Sequence, residues 1–243
     1  TLAKLVPALA AGCTVVLKGT PQAPWLTAAM GRMLAEGTDI PPGVVNVLTA
    51  AGSDVGEALV TDPAVDMVSF TGSTATGRRI MAAASDTVKR VFLELGGKSA
   101  FVVMDDADVD FAAMIAGFTV CSNAGQGCAI TTRLLVPEAR LDEIVPKVRD
   151  AMAGVPYGDP REPSVMMGPL ISAEQLAKVE SAVDGAVAGG ATVALGGRTP
   201  EHLPSGWFYE PTLLVDVEPG AAIAQDETFG PVLVVLAYRD DDH

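Results

Sequence analysis

Short β-branched runs alternate with helix-like stretches through the first half of the chain, and that alternation leaves few architectures open. The runs are CTVVLK (13–18), VVNVLTA (44–50), DMVSFT (66–71), RVFLEL (90–95) and AFVVMD (100–105). Between them, 22–36, 53–61 and 74–84 carry apolar residues at helical spacing. The runs are continuously apolar, which predicts strands of a parallel sheet buried on both faces. Strand–helix–strand repetition predicts α/β units with right-handed crossovers. Ahead of the first run, TLAKLVPALAAG reads as a helix, where a doubly wound sheet normally opens on a strand.

A second α/β region restarts after Gly96-Gly97, the best candidate for a domain boundary. Residues 107–123 have the spacing of a mostly buried helix with acidic residues near its start, where they complement the helix dipole. TTRLLVP reads as a strand and ARLDEIVPKVRDAMAGV as an amphipathic helix. A Pro-rich loop leads to SAEQLAKVESAVDGAVAGG, a helix with Ser172 as N-cap, Glu174 close behind and a Gly-Gly stop. ATVALGG, FYEPTLLVDV and VLVVLAY complete the strands.

Composition excludes several functions. The 16 Lys and Arg against 30 Asp and Glu give a net charge of −14, which disfavours nucleic acid and anionic membrane surfaces. No apolar run approaches the roughly 20 residues of a spanning helix. The first residues lack the basic and small-residue pattern of a signal peptide. The chain opens on Thr, so residues are expected to precede it. Three cysteines form neither a CxxC nor an even framework, which predicts free thiols in a reducing, cytoplasmic setting. Only His202 and His243 could serve a histidine-based triad or metal site. His202 lies in a polar loop and His243 is the last residue, so chemistry without histidine or metal is expected.

Four motifs carry candidate chemistry. In SFTGSTATGRR a strand ends at Gly72-Ser73 and a helix begins, so its free N–H groups suit a phosphate. An ordinary N-cap explains the same residues. AAGSDVG, with Gly52, is a weaker strand-to-helix turn of the same kind. In LELGGKS, Glu94 ends an apolar strand, where Glu is depleted. Either it is a general base whose pKa burial raises, or it pairs with Lys98 or Arg90. In NAGQGCAITTR, Cys128 sits in a Gly-rich turn. It is either a nucleophile with access or a small buried residue. Cys13 and Cys121 lie within a predicted strand and helix and read as packing residues. DETFGP (226–231) alone reads as a loop.

Taken in order, FTGS-T-x-x-G, L-E-L-G-G-K, N-x-G-Q-x-C and E-T-F-G-P resemble the aldehyde dehydrogenase superfamily. VVLKGTP and PPGVVNVLT extend the likeness over essentially the whole chain, and Glu94 and Cys128 stand 34 residues apart, which fits the family.

The resemblance implies a parallel, Rossmann-like NAD(P)-binding domain over 1–95 and an α/β catalytic domain over 96–243, both incomplete. It implies NAD(P)-dependent oxidation of a small-molecule aldehyde to a carboxylic acid, with NAD the favoured cofactor. Cys128 resembles the nucleophile that passes through a thiohemiacetal and a thioester. Glu94 resembles the base that activates water. Lys18 resembles the lysine that holds the adenosine ribose. Gly52, Gly72 and Ser73 would line the adenine and pyrophosphate, and Glu227 and Phe229 would place the nicotinamide ribose.

Departures from the family pattern also carry information. The W-N-[FYW]-P segment that supplies a second oxyanion donor is absent from these residues. So are the segments that follow E-T-F-G-P, which implies the central half of a longer, homo-oligomeric protein, dimer or tetramer. Many NAD-selective members carry Glu three residues after the lysine. Here that position is Pro21, which leaves NADP open beside NAD. A CoA-acylating relative would generally lack Glu94. A catalytically inactive remnant that only binds nucleotide or another chain is the alternative reading. A sheet lacking its neighbouring segments is further expected to leave edges and apolar surface uncovered.

Overall fold

The computed structural model describes residues 1–239. The chain divides into two compact units, Thr1–Leu95 and a second that begins at Gly96.

The first unit runs α1 (Leu2–Ala10), β1 (Val15–Lys18), α2 (Pro24–Gly37), β2 (Val45–Leu48), α3 (Asp54–Thr61), β3 (Met67–Gly72), α4 (Thr74–Ala84) and β4 (Arg90–Leu95). Both of its strand pairs are parallel. β1 lies on β2 from Val15↔Val45 to Lys18↔Leu48. β3 lies on β4 from Met67↔Arg90 to Gly72↔Leu95. Each pair therefore brings the C-terminal ends of its strands level. Pro24 opens α2 where a missing N–H costs nothing. Ser73 caps α4 by accepting a hydrogen bond from Thr76 N–H at 3.2 Å.

Cys13 is not in a strand. Its N–H donates to Ala8 O at 3.0 Å while Gly12 N–H donates to Leu9 O at 2.9 Å, which closes the last turn of α1. The cap uses this stretch of backbone before β1 begins, and Cys13 is exposed.

Burial in β3 and β4 also departs from the sequence expectation. Val68, Phe70 and Val91 pack on Val60 of α3 and Ile80 and Ala84 of α4. The alternate positions face away, leaving Met67 52% and Phe92 50% exposed. The apolar runs are thus buried on one face only. Side chains alternate across a strand, and the packed helices cover one side.

The second unit runs β5 (Ser99–Val102), α5 (Val109–Cys121), β6 (Thr131–Pro137), α6 (Leu141–Ala153), α7 (Ala173–Ala188), β7 (Thr192–Leu195), β8 (Thr212–Val215), the short α8 (Ala222–Gln225) and β9 (Val232–Tyr238). Its sheet has the order β5-β6-β9-β8-β7, parallel except for β7 against β8. Here continuous burial holds at the centre of the sheet: Leu213 and Leu214 of β8 and Val232, Leu233 and Val234 of β9 have no exposed surface. They pack with Ala116 and Val120 of α5, Ile144 and Met152 of α6, and Val179 and Val183 of α7 in one core. Each such Val or Leu contributes about 1.5–3 kcal/mol when fully buried. Asp108 caps α5 by accepting from Phe111 N–H, and Ser172 caps α7 by accepting from Gln175 N–H.

Among the described residues no helix is long and apolar enough to cross a membrane. Nor does any group of three or more His, Cys, Asp or Glu stand ready for a metal ion there. His243 and residues 240–242 lie outside the described residues.

Candidate active site

The second unit holds two of the four motifs whole, together with the Gly96-Gly97-Lys98 part of LELGGKS. Helix α5 ends at Cys121, and the chain turns through Asn123 (φ 49°), Ala124 (φ 53°) and Gly125 (φ 72°) before Cys128. Two non-glycine residues in succession in the left-handed region are costly, and such strain persists only where the surroundings impose it. The imposing contacts are visible. Asn123 Nδ2 donates to Gln126 O at 2.8 Å, and Gln126 Nε2 returns a bond to Asn123 O at 3.0 Å. Gln126 Oε1 accepts from Ile171 N–H at 2.9 Å, just before α7. Gly125 meets the 226–231 loop so closely that a Cβ there would lie 1.9 Å from Gly230 O. This clamped loop delivers Cys128 to the surface, where its thiol is exposed.

The 226–231 loop is held from two sides. From α7, Gln175 Nε2 donates to Thr228 O at 3.0 Å and to Phe229 O at 2.9 Å. Phe229 is left-handed there, with φ 55°. From the foot of β5, Lys98 Nζ donates to Thr228 Oγ1 at 3.3 Å. Both Lys98 (7% exposed) and Thr228 (4%) are buried. Glu227 and Phe229 are half-buried. The Glu227 carboxylate presses on Gly96, where a Cβ would come within 2.0 Å of it.

Lys98 sits in an unusual field. Burial, followed by the nearby Arg133 cation, lowers its ammonium to about 8, although Glu227 and Asp226 pull it back up. Arg133, on β6, has a buried Nε with no hydrogen-bond partner. Cys121 is the opposite of Cys128: burial pushes its thiol up to about 12, which keeps it protonated and inert.

In the first unit, the remaining predicted residues stand at strand ends. Lys18 is the last residue of β1 and is half-buried. Its Nζ donates to Gly19 O at 3.2 Å, and its stem lies along Gly56 of α3. Gly52 lies in the exposed bend between β2 and α3. Gly72 ends β3, and Ser73 uses its hydroxyl as the α4 cap. Glu94 lies one residue before the end of β4, level with Thr71 of β3. It is exposed, not buried, and makes no ion pair with Lys98 or Arg90 among the described residues. It belongs to the uncovered face of its strand pair. The apolar run could not reveal this, because period-2 alternation decides which side chains the helices cover.

Three residues went unflagged by the sequence reading as site elements: Lys98 in this role, Gln126 and Gln175. Only the GGK and GQGC motifs themselves hinted at the first two. Gln175 carried no signal, since a lone glutamine in a helix reads as surface.

The sequence profile described as Aldehyde dehydrogenase family matches residues 1–243. The chain belongs to the aldehyde dehydrogenase family. It is 44% identical over 238 residues to the glutarate-semialdehyde dehydrogenase of Pseudomonas aeruginosa, which covers 98% of this chain and 49% of that protein. Among solved structures it is similar to a Mycobacterium tuberculosis aldehyde dehydrogenase complexed with NAD+, at 41% identity and a TM-score of 0.94, over 98% of this chain and 49% of the other. It is likewise similar to an Escherichia coli NADP dependent enzyme, at 40% identity and a TM-score of 0.94, with 98% and 49% covered. The chain thus spans about half the length of these family members.

Proposed function

We propose that this chain serves NAD(P)-dependent oxidation of an aldehyde to a carboxylic acid, with Cys128 as nucleophile. The observation that carries the reading is the exposed Cys128 thiol on a backbone turn clamped against the 226–231 loop. A small buried cysteine, the competing reading of the sequence, would have the environment of Cys121 instead.

The residues fit a dinucleotide. Two parallel strand pairs end level, and Lys18, Gly52, Gly72 and Ser73 stand at those carboxyl ends, where α/β folds take ligands. The first turn of α4 offers N–H groups and a positive dipole end to a phosphate, while Ser73 keeps the helix start in place. Lys18 would hold the adenosine ribose hydroxyls, and Glu227 with Phe229 the nicotinamide ribose. When bound, the nicotinamide supplies the hydride acceptor.

Cys128, as thiolate, forms a carbon–sulfur bond to the aldehyde carbonyl. Its own backbone N–H donates to the oxyanion that results. Loss of hydride leaves a thioester on Cys128. Glu94 takes a proton from water, whose oxygen adds to the thioester carbon, and the carboxylic acid departs as the sulfur regains its electrons. An exposed carboxylate near the end of a strand is reachable by water, which this step needs.

NAD is the proposed cofactor. Relatives of near-equal similarity are described with NAD+ and as NADP dependent, so likeness alone does not choose. Pro21 offers no carboxylate against a 2′-phosphate. Fluorescence titration with NADH and NADPH, alongside aldehyde turnover of Cys128→Ala, tests the reading. The expected result is binding of NADH, with NADPH left open by Pro21, retained in Cys128→Ala with turnover lost. Near-normal turnover in that variant would overturn it.

A further inference from the structure

Lys98 joins residues 130 apart in sequence through one buried hydrogen bond, and we propose that it is the positioning residue for the Glu227-Thr228-Phe229 turn. The consequence for cofactor binding rests on the reading of Glu227 and Phe229 given above; the positioning itself does not.

The turn has three restraints, and Lys98 supplies the one on the Thr228 side chain. Gln175 fixes the two carbonyls, of Thr228 and Phe229, from α7. Gly96, two residues before Lys98, provides a surface without a side chain against which the carboxylate rests. Lys98 holds the Thr228 hydroxyl, the one side-chain restraint on that residue besides packing among the described residues. Without it, the loop keeps its backbone anchors but the orientation of residues 227 and 228 is set only by packing.

The choice of a lysine is itself informative. A buried ammonium is costly, and an apolar side chain of the same length would fill this space without that cost. The charged groups around Lys98 are Arg133 from β6, Lys178 from α7, and Asp226 and Glu227 from the loop itself. Arg133 adds to the positive side, with its Nε unpartnered. A cation retained against burial and against a neighbouring cation is explained by the two acids of the loop it holds.

The test uses hydrogen exchange of the peptide spanning 226–230 in the ligand-free chain, with NADH affinity measured in parallel. Lys98→Met removes charge and donor at similar length; Lys98→Arg keeps both. The expected result is exchange about ten-fold faster at 226–230 in Lys98→Met, the factor that loss of a hydrogen bond to a charged group gives. Peptides from β9 and α6 should stay at the parent rate, Lys98→Arg should restore protection, and NADH affinity should follow the same order. Thr228→Val removes the acceptor and should reproduce the local effect if Lys98→Met does not fold. Unchanged exchange at 226–230, or equal acceleration of every peptide, would overturn the proposal and leave Lys98 a packing residue. Absence of NADH binding to the parent chain would instead count against the cofactor reading, while the exchange data still decide Lys98.

Discussion

Cys121 and Cys128 lie seven positions apart and meet opposite environments, so native-state alkylation should separate them. Iodoacetamide is expected to label Cys13 and Cys128 and to spare Cys121 until the chain is denatured; labelling of Cys121 in the native protein would contradict its assignment to the core. Lys98 gives a second residue-scale test, through pH. Its folded pKa of about 8 lies below the ordinary lysine value of 10.5, so between those values the unfolded chain binds more protons than the folded one. Stability from this group is therefore full above 10.5 and lost as pH falls through 8. Relative to Lys98→Met, the parent chain should gain on the order of 3 kcal/mol across that window, read from urea unfolding at a series of pH values. A flat difference would show that Lys98 titrates normally. At this scale the sequence spoke for the cysteines only in part. The Gly-rich turn suggested room around Cys128, but exposure settles nucleophile against packing residue, and exposure depends on the fold. Glu94 illustrates the same limit, since a strongly apolar strand implied burial that its register on one face of β4 does not provide.

Elements were the most legible level. The helices over 53–61 and 74–84 and the strands at 90–95 and 131–137 follow from apolar spacing and turn residues, and the structure places them within a residue or so. Ser172 as the α7 cap and the Gly189-Gly190 stop follow from local chemistry alone. What the sequence could not supply is the contact between loops. Gln126 to Ile171 and Gln175 to Phe229 join segments 45 and 54 residues apart, and side-chain bonds to backbone leave no periodic trace. Gly125 is where the two loops meet, and it tests that packing. Gly125→Ala adds a left-handed strain and a clash with Gly230 O, so it should cost at least about 2 kcal/mol in urea unfolding. It should also alter the rate at which Cys128 is alkylated. A change below about 0.5 kcal/mol, the size of an ordinary surface substitution, would mean that the loops are not clamped as described.

At the scale of the whole molecule, apolar side chains remain exposed that a well-covered surface would hide. On α2 these are Trp25 (86% exposed), Leu26 (74%) and Met33 (69%). Clustered exposed apolar surface favours association. Light scattering of the purified chain should therefore rise with concentration, and Trp25→Gln with Leu26→Gln should reduce it without lowering the melting temperature. Scattering that is unchanged by the pair would place the cause elsewhere. Family membership was legible here because four motifs occur in one order along the chain. The uncovered faces were expected in outline, but which strands and helices carry them was not, because burial is a property of packing and not of any one segment.

The most direct measurement is peptide-resolved mass spectrometry of Glu94→Gln after incubation with NAD+ and an aldehyde. Slowed deacylation should leave an acyl group on the peptide that contains Cys128, present only when NAD+ is supplied and absent from Cys128→Ala. An acyl group on another residue, or aldehyde turnover that survives Cys128→Ala, would contradict the assignment of Cys128 as the nucleophile.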